Sequence, residues 1–386
     1  MKRIYLDVAA AAPVLPVARR AFLRALRQVG NPSAMHEEGR AARALVEEAR
    51  TLIARRTGVK AEHVTFTSGA TEANTLAIKG YVEARRHAGP LQVMYHPGAH
   101  ASVVEVMEAL KGEGIEVTSV PTREGRVDVE VLATMLRPET ALISLEAISP
   151  ETGMRHDLRR VRTILDAYEK RHGTRIVLHV DGSQLPLVES VERTRLGADL
   201  LTLDAQKIGG VRGIGCLIRS GGIALTPQLR GGGQEGGLRS GTESGALAVS
   251  FAIALEERAR THASFASLAK ELRTHMSTRI KTLITDVRVL GGKECAPHIL
   301  TIALPGRDTD YLVALLDAAG FASSTKSACE TDGEAGSRMA YLETKDEALA
   351  HSTLRISWDE TITKRDLDRF VTALTKAVRF LDETAV

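Results

Sequence analysis

Between residues 64 and 204, short apolar runs alternate with longer amphipathic stretches. Val64–Thr67, Leu91–Tyr95, Ile115–Val120, Ala141–Leu145, Arg175–Asp181 and Leu200–Asp204 are brief and rich in Val, Ile and Leu, which predicts strands. The intervening stretches repeat their apolar positions at helical spacing and predict helices over 71–86, 100–112, 128–137 and 157–172. Strands alternating with helices of this length imply an α/β architecture with a mostly parallel sheet covered on both faces.

Upstream, helical spacing over 14–29 is broken by Gly30-Asn31-Pro32-Ser33, and an Arg-, Ala- and Glu-rich helix follows over 36–57. Beyond 245 the pattern changes. A long helical stretch over 245–283 precedes strands near 285–290 and 299–304, a helix over 308–319, a strand at Leu354–Ser357 and a terminal helix over 364–381. We therefore expect a large domain over 14–250 and a smaller α+β domain made of 1–13 and 251–386, joined by the helix over 245–283. Gly231 to Gly237 is a loop, and no internal repeat is present.

At 386 residues the chain is too long for one small core. A net charge of +3, with no run of basic residues interleaved with aromatics, gives no support to nucleic-acid binding. No apolar stretch is long enough to cross a bilayer, and Asp7 interrupts any N-terminal signal segment. Cys216, Cys295 and Cys329 are too few and too scattered for a disulfide framework or a zinc cluster, so no metal is expected. These features predict a soluble protein of a reducing cytoplasm.

Two apolar runs end in chemically able residues. Asp181 closes Val177-Leu178-His179-Val180-Asp181, and Lys207 follows Leu201 to Asp204 just before Gly209-Gly210. Such a lysine amine can hold a cofactor aldehyde as a Schiff base, and such an aspartate can keep a pyridine nitrogen protonated; either is otherwise a solvated lysine or a turn cap. Thr67-Ser68-Gly69-Ala70-Thr71-Glu72-Ala73-Asn74 joins a strand to a helix. It is either a phosphate cradle of free amides or a plain N-cap, and it lacks the ending of a Walker loop. Cys329 lies in a polar, Gly-containing segment with Lys326 near enough to favour a thiolate, as a nucleophile or an incidental thiol. Arg355, a charge inside an apolar strand, demands an anion, either an internal carboxylate or a substrate's.

Taken in chain order, these motifs resemble the NifS/IscS-type cysteine desulfurases of the class V aminotransferase group. Tyr5-Leu6-Asp7-Val8-Ala9-Ala10, Gly30 to His36, Phe66 to Glu72, Leu238-Arg239-Ser240-Gly241-Thr242-Glu243 and Ser327-Ala328-Cys329 carry the resemblance over nearly the whole chain. It implies the transferase fold type I of pyridoxal 5'-phosphate enzymes, with a seven-stranded, mostly parallel sheet. It also implies that Lys207 holds the cofactor, Asp181 pairs with its pyridine nitrogen, Gln184 and Ser149 serve its ring oxygen, and His100 stacks on the ring and assists proton transfer. Ala70, Thr71 and Gln206 would bind the phosphate, with Thr242 reaching it from the neighbouring subunit of a homodimer. Arg355 would grip the carboxylate of L-cysteine, with Asn31 in the substrate region. Cys329 would take the sulfur as a persulfide and pass it to an iron–sulfur scaffold or a tRNA-thiolation protein.

The chain also departs from the family pattern. Asp204 and Gln206 stand where the family has Ser and His before the lysine, and Ser149-Pro150 replaces an Asn-Asn pair. An ionised Asp204 would repel a phosphate dianion, so Asp204 is expected to turn away from it toward a nearby backbone N–H. These departures leave two alternatives to a desulfurase. One is another class V enzyme, an aminotransferase or selenocysteine lyase; the other is a cofactor-binding scaffold with weakened catalysis.

Overall fold

The structure is a computed structural model that describes residues 3–87, 89–292, 294–325 and 336–384. Its centre is a seven-stranded sheet in the order Val64–Thr67, Gly215–Arg219, Leu200–Asp204, Val177–Asp181, Thr140–Glu146, Gln92–Tyr95, Glu116–Ser119. All neighbours are parallel except Gly215–Arg219, which runs antiparallel to both strands beside it. This is the α/β architecture expected, with six of the seven strands read from the apolar runs. The seventh hides among glycines, since Gly215-Cys216-Leu217-Ile218 is too short a run to stand out. Gly215 is required there: a Cβ would lie 2.8 Å from the Gly69 Cα and from the Leu203 carbonyl oxygen.

Alternation along the strands divides the core between the two faces of the sheet. Leu142, Val177, Leu200 and Leu217 pack with Leu76, Ala77 and Val103 of the helices Ala70–Arg85 and Ala101–Gly112. Ile143, Leu178, Leu201 and Leu203 belong to the opposite core with Phe251 and Leu255 of the 39-residue helix Gly245–Leu283. Each such side chain contributes roughly 1.5–3 kcal/mol on burial. Two residues further along the first face the layer turns polar: Ser144 Oγ meets His179 Nδ1 at 2.8 Å and His179 Nε2 meets Thr202 Oγ1 at 3.1 Å. One more step brings Glu146 beside Asp181 in register, with Asp204 two residues past Asp181's partner Thr202 at the carboxyl end of the next strand.

A smaller antiparallel sheet joins Arg288–Val289, Ile299–Ala303 and Thr353–Ser357. The N-terminal strand Ile4–Tyr5 pairs in parallel with Phe321–Ala322, and Asp7 bridges to Ser357. The strand expected near 285–290 begins only at Arg288, because Asp286 takes a left-handed φ of 60°. The helix expected over 14–29 ends at Ala25. Short helices at Arg338–Thr344 and Glu347–His351 were not legible in the apolar pattern. No helix among the described residues is long and apolar enough to cross a membrane.

Candidate active site

Ligands of open parallel sheets bind outside the carboxyl ends of the strands, and most of the candidate residues gather there. Asp181 Oδ1 accepts from the Ser183 amide at 3.0 Å and Oδ2 from Asn74 Nδ2 at 2.9 Å. Asn74 is fully buried on the helix Ala70–Arg85 and donates its other amide hydrogen to Ser102 Oγ, also at 2.9 Å. Ser102 in turn meets His100 Nδ1 through its hydroxyl at 2.9 Å and through its amide at 3.1 Å. A continuous chain of hydrogen bonds therefore runs from Asp181 through Asn74 and Ser102 to His100. Because Nδ1 accepts the Ser102 amide, the neutral ring carries its proton on Nε2. Burial lowers the His100 pKa; the charge of Asp181 opposes that shift and the charge of Lys207 adds to it. These three groups thus lie within electrostatic reach of one another.

Lys207 closes a single turn, Ala205–Lys207, directly after the strand ending at Asp204. Its Nζ donates to the carbonyls of Ala9 at 3.1 Å and Ala10 at 2.8 Å, while Gln184 Nε2 donates to the same Ala9 carbonyl at 2.9 Å. The N-terminal segment also supplies Asp7, whose Oδ1 accepts from Arg355 Nη2 at 2.8 Å. Arg355 Nη1 donates to the Pro150 carbonyl at 3.0 Å, while its buried Nε has no hydrogen bond. The anion demanded by this strand arginine is therefore present inside the protein as Asp7.

The turn before the helix Ala70–Arg85 is built as a cap. Glu72 reaches back to the Ser68 amide at 2.7 Å and pairs with Arg239 Nε at 2.9 Å. Ser68 and Thr242 share a cavity of about 190 Å³ with Arg239 and Ser244. Asp204 corrects an expectation. Its carboxylate does find backbone N–H groups, but one belongs to the turn expected to hold the phosphate: Oδ2 accepts from the Ala70 amide at 2.9 Å and Oδ1 from the Gln206 amide at 2.9 Å. A helix N-terminus attracts the nearest anion, and here that anion is an internal side chain.

Asn31 stays apart from this cluster, and Ser149 meets it only beside Glu146. Asn31 is exposed and its Oδ1 caps the Ser33 amide at 2.9 Å. Ser149 is buried with its hydroxyl turned into its own loop, accepting from the Glu151 amide at 3.2 Å. Cys329 lies outside the described residues. Two features were missed from the sequence. Asn74 is one; a buried Asn at a helix position facing two polar strand ends was its only signal. The other is Glu146, next to Asp181 in the sheet register, which lies with His96 and His156 so that one ligand atom of each falls within 4.8 Å of the others. Neither Glu146 oxygen has a hydrogen bond, although Ser149 and the His100 amide face it. Burial first, then Glu151 and Asp181, raise the Glu146 pKa well above the carboxylate range, which favours its protonated form. The trio does not form a cation site as built. Both ring nitrogens of His96 are already engaged, with the Gly98 amide at 3.1 Å and the Gly125 carbonyl at 3.0 Å.

The donor set suits pyridoxal 5'-phosphate at its ring: an amine, a carboxylate fixed by two donors, and a neutral imidazole converge there. At the phosphate end the helix amides suit the group, but Asp204 holds one of them.

The aminotransferase class-V family model matches residues 4–370. Over 384 residues the chain is 33% identical to the NifS/IcsS protein homolog of Lactobacillus delbrueckii subsp. bulgaricus, covering 96% of each. It is 31% identical to cysteine desulfurase IscS of Dictyoglomus turgidum, covering 99% of this chain and 96% of the relative. Among solved structures, a NifS-like protein superposes with a TM-score of 0.90 at 26% identity, covering 98% of this chain and 100% of the other. A NifS-like protein from Rickettsia africae does so with a TM-score of 0.86 at 25% identity, covering 98% and 99%.

Proposed function

The chain belongs to the aminotransferase class-V family, and on that premise we propose that it is a cysteine desulfurase. It removes sulfur from L-cysteine, releases L-alanine, and carries the sulfur as a persulfide on Cys329 to an acceptor of iron–sulfur cluster assembly or tRNA thiolation in the cytoplasm. The observation that carries this reading is the convergence of Lys207, Asp181 and His100 from three separated segments onto one electrostatically linked site.

Pyridoxal 5'-phosphate, when bound, supplies an aldehyde for covalent attachment and a ring that draws electrons from the substrate Cα. Lys207 would hold the aldehyde and carry the Cα proton. Asp181, steadied by Asn74 and Ser183, would keep the ring nitrogen protonated, and neutral His100 would cover the ring while offering its Nε2 proton. Gln184 and Ser149 would serve the ring oxygen; Ala70, Thr71 and Gln206 would serve the phosphate. Arg355 would grip the substrate carboxylate, sharing its guanidinium with Asp7, and Asn31 would border the substrate region. The Cys329 thiolate would attack the substrate sulfur, forming the S–S bond of the persulfide as the Cβ–S bond breaks; the electron pair left on Cβ would be drawn toward the bound cofactor and quenched by a proton, giving alanine. A homodimer is part of the reading, with Thr242 reaching the neighbouring phosphate site. The division into a domain over 14–250 and one made of 1–13 and 251–386 belongs to it as well.

Asp204 on the Ala70 amide favours a second reading, a cofactor-binding protein of weak turnover. The test for both is sulfide and alanine release from L-cysteine with a thiol reductant. The wild type is expected to be yellow and active, and Lys207→Ala and Cys329→Ala to release no sulfide, with only the lysine variant losing the yellow colour. A yellow but inactive wild type would leave the scaffold reading. Full sulfide release by Cys329→Ala would remove the persulfide step.

A further inference from the structure

Asp204 is the charged side chain that holds the Ala70 amide at the helix start the cofactor's phosphate would use, while Glu72 holds the Ser68 amide of the same turn. Asp204 is 6% exposed and uses both carboxylate oxygens on backbone amides, those of Ala70 and Gln206. The Ala70 amide opens a 16-residue helix, so the partial positive charge of its N-terminus is already answered by this carboxylate. A phosphate dianion arriving at the same amide meets a negative group within a hydrogen bond's length of its own binding position. In a site screened from water such a pair repels strongly. The charged groups facing Asp204 pull in opposite directions: Lys207, from the following turn, favours the ionised carboxylate, and Asp181, from the neighbouring strand, disfavours it. The buried Cys216 thiol sits behind it on the antiparallel strand.

We propose that Asp204 is a built-in competitor for the cofactor's phosphate: the phosphate gains the Ala70 amide only when Asp204 takes up a proton or swings off it. Two consequences follow from the geometry. The site holds phosphorylated ligands less tightly than its remaining donors would allow, and its preference for them strengthens as pH falls. Burial raises the Asp204 pKa, against the lowering by its two amide partners and Lys207, so it takes up a proton at higher pH than a free aspartate does. The sign is then set: the competing anion is present at high pH and is neutralised as pH drops. Asp204 would make occupancy of the site responsive to cofactor supply, where a serine or asparagine would lock the phosphate in.

This inference rests on the proposed cofactor site, so the test separates the two. Pyridoxine 5'-phosphate and pyridoxine lack the aldehyde, so Lys207 chemistry does not enter their binding. Affinities for both are measured by calorimetry on the full-length protein, its Asp204→Asn variant and its Asp204→Ser variant, at about pH 6 and about pH 8. Asparagine keeps the oxygen that accepts the Gln206 amide and so preserves the turn. Both variants are expected to bind pyridoxine 5'-phosphate roughly tenfold or more tightly than wild type at the higher pH, with pyridoxine affinity unchanged. The wild type is expected to close part of that gap at the lower pH. Equal phosphate preference in all three proteins at both pH values would overturn the role of Asp204 while leaving the cofactor site standing. No binding of either ligand by any of them, and no colour with pyridoxal 5'-phosphate, would overturn the cofactor site and this inference with it.

Discussion

Asn74 shows how much one side chain can organise at this site. Its two amide hydrogens tie Asp181 to Ser102, and Ser102 fixes the orientation of His100. Removing it takes a donor from a carboxylate, an interaction worth about 1.5–3 kcal/mol. Asn74→Ala is therefore expected to weaken binding of pyridoxal 5'-phosphate by roughly tenfold, followed as visible absorbance on titration. Asn74→Asp, which sets a second acid against Asp181, should do worse. Unchanged affinity in Asn74→Ala would mean that Ser183 alone suffices to hold Asp181. The aspartate and the lysine were legible as candidates because each ends an apolar run. Asn74 was not, because a polar helix residue reads the same whether it faces solvent or a buried acid.

Longer-range order near the phosphate turn depends on how three segments are pinned together. Arg50, on the helix Glu37–Thr57, is buried and forms a two-pronged pair with Glu235, at 2.6 and 2.8 Å. Glu235 also accepts the Phe66 amide at 2.8 Å, and Arg50 donates to the Val64 carbonyl at 2.7 Å. One buried ion pair thus joins the helix, the edge strand Val64–Thr67 and the glycine-rich loop that leads to Thr242. Glu235 holds a left-handed φ of 52°, a cost met by this pairing. Glu235→Ala leaves the buried guanidinium with only the half-exposed Glu47 carboxylate on its Nε, and should destabilise the protein by about 3 kcal/mol, measured as a lower urea midpoint. A shift under about 1 kcal/mol would show that water replaces the carboxylate. The apolar pattern predicted the helix and the strand; the loop's attachment to them came from two residues 185 positions apart in the chain, which no local period reveals.

Across the molecule, acid is the condition most damaging to the fold. Burial holds His96 and His179 down to about 4, His298 down to about 3, and His156 well below the usual imidazole range. An unfolded histidine titrates near about 6.5, so between there and about pH 4 the unfolded chain takes up protons that the folded one refuses. Stability then falls as pH falls through that window, by up to about 1.4 kcal/mol per pH unit for each histidine. Glu146 acts in the opposite sense: burial raises its folded-state pKa, so its contribution is present at low pH and lost as pH rises through the elevated pKa. Asp204 and Glu343, also raised by burial, act in the same sense as Glu146, but five lowered histidines, His100 among them, outweigh them, and the net slope favours neutral pH. Urea midpoints at about pH 5 and about pH 7 check this; equal midpoints would mean that these rings are charged in the folded protein.

Period and punctuation in the amino-acid order were enough for the α/β architecture, the helices flanking the sheet, and Asp181 and Lys207 as the candidates for the chemistry. These depend on local spacing, and spacing survives in one dimension. The position of Asp204 on the Ala70 amide, the burial of Glu146 beside Asp181, and the capture of Arg355 by Asp7 were settled by folding alone. Each is a contest among charges for a few buried partners, and its outcome depends on distances that exist only once the strands lie side by side.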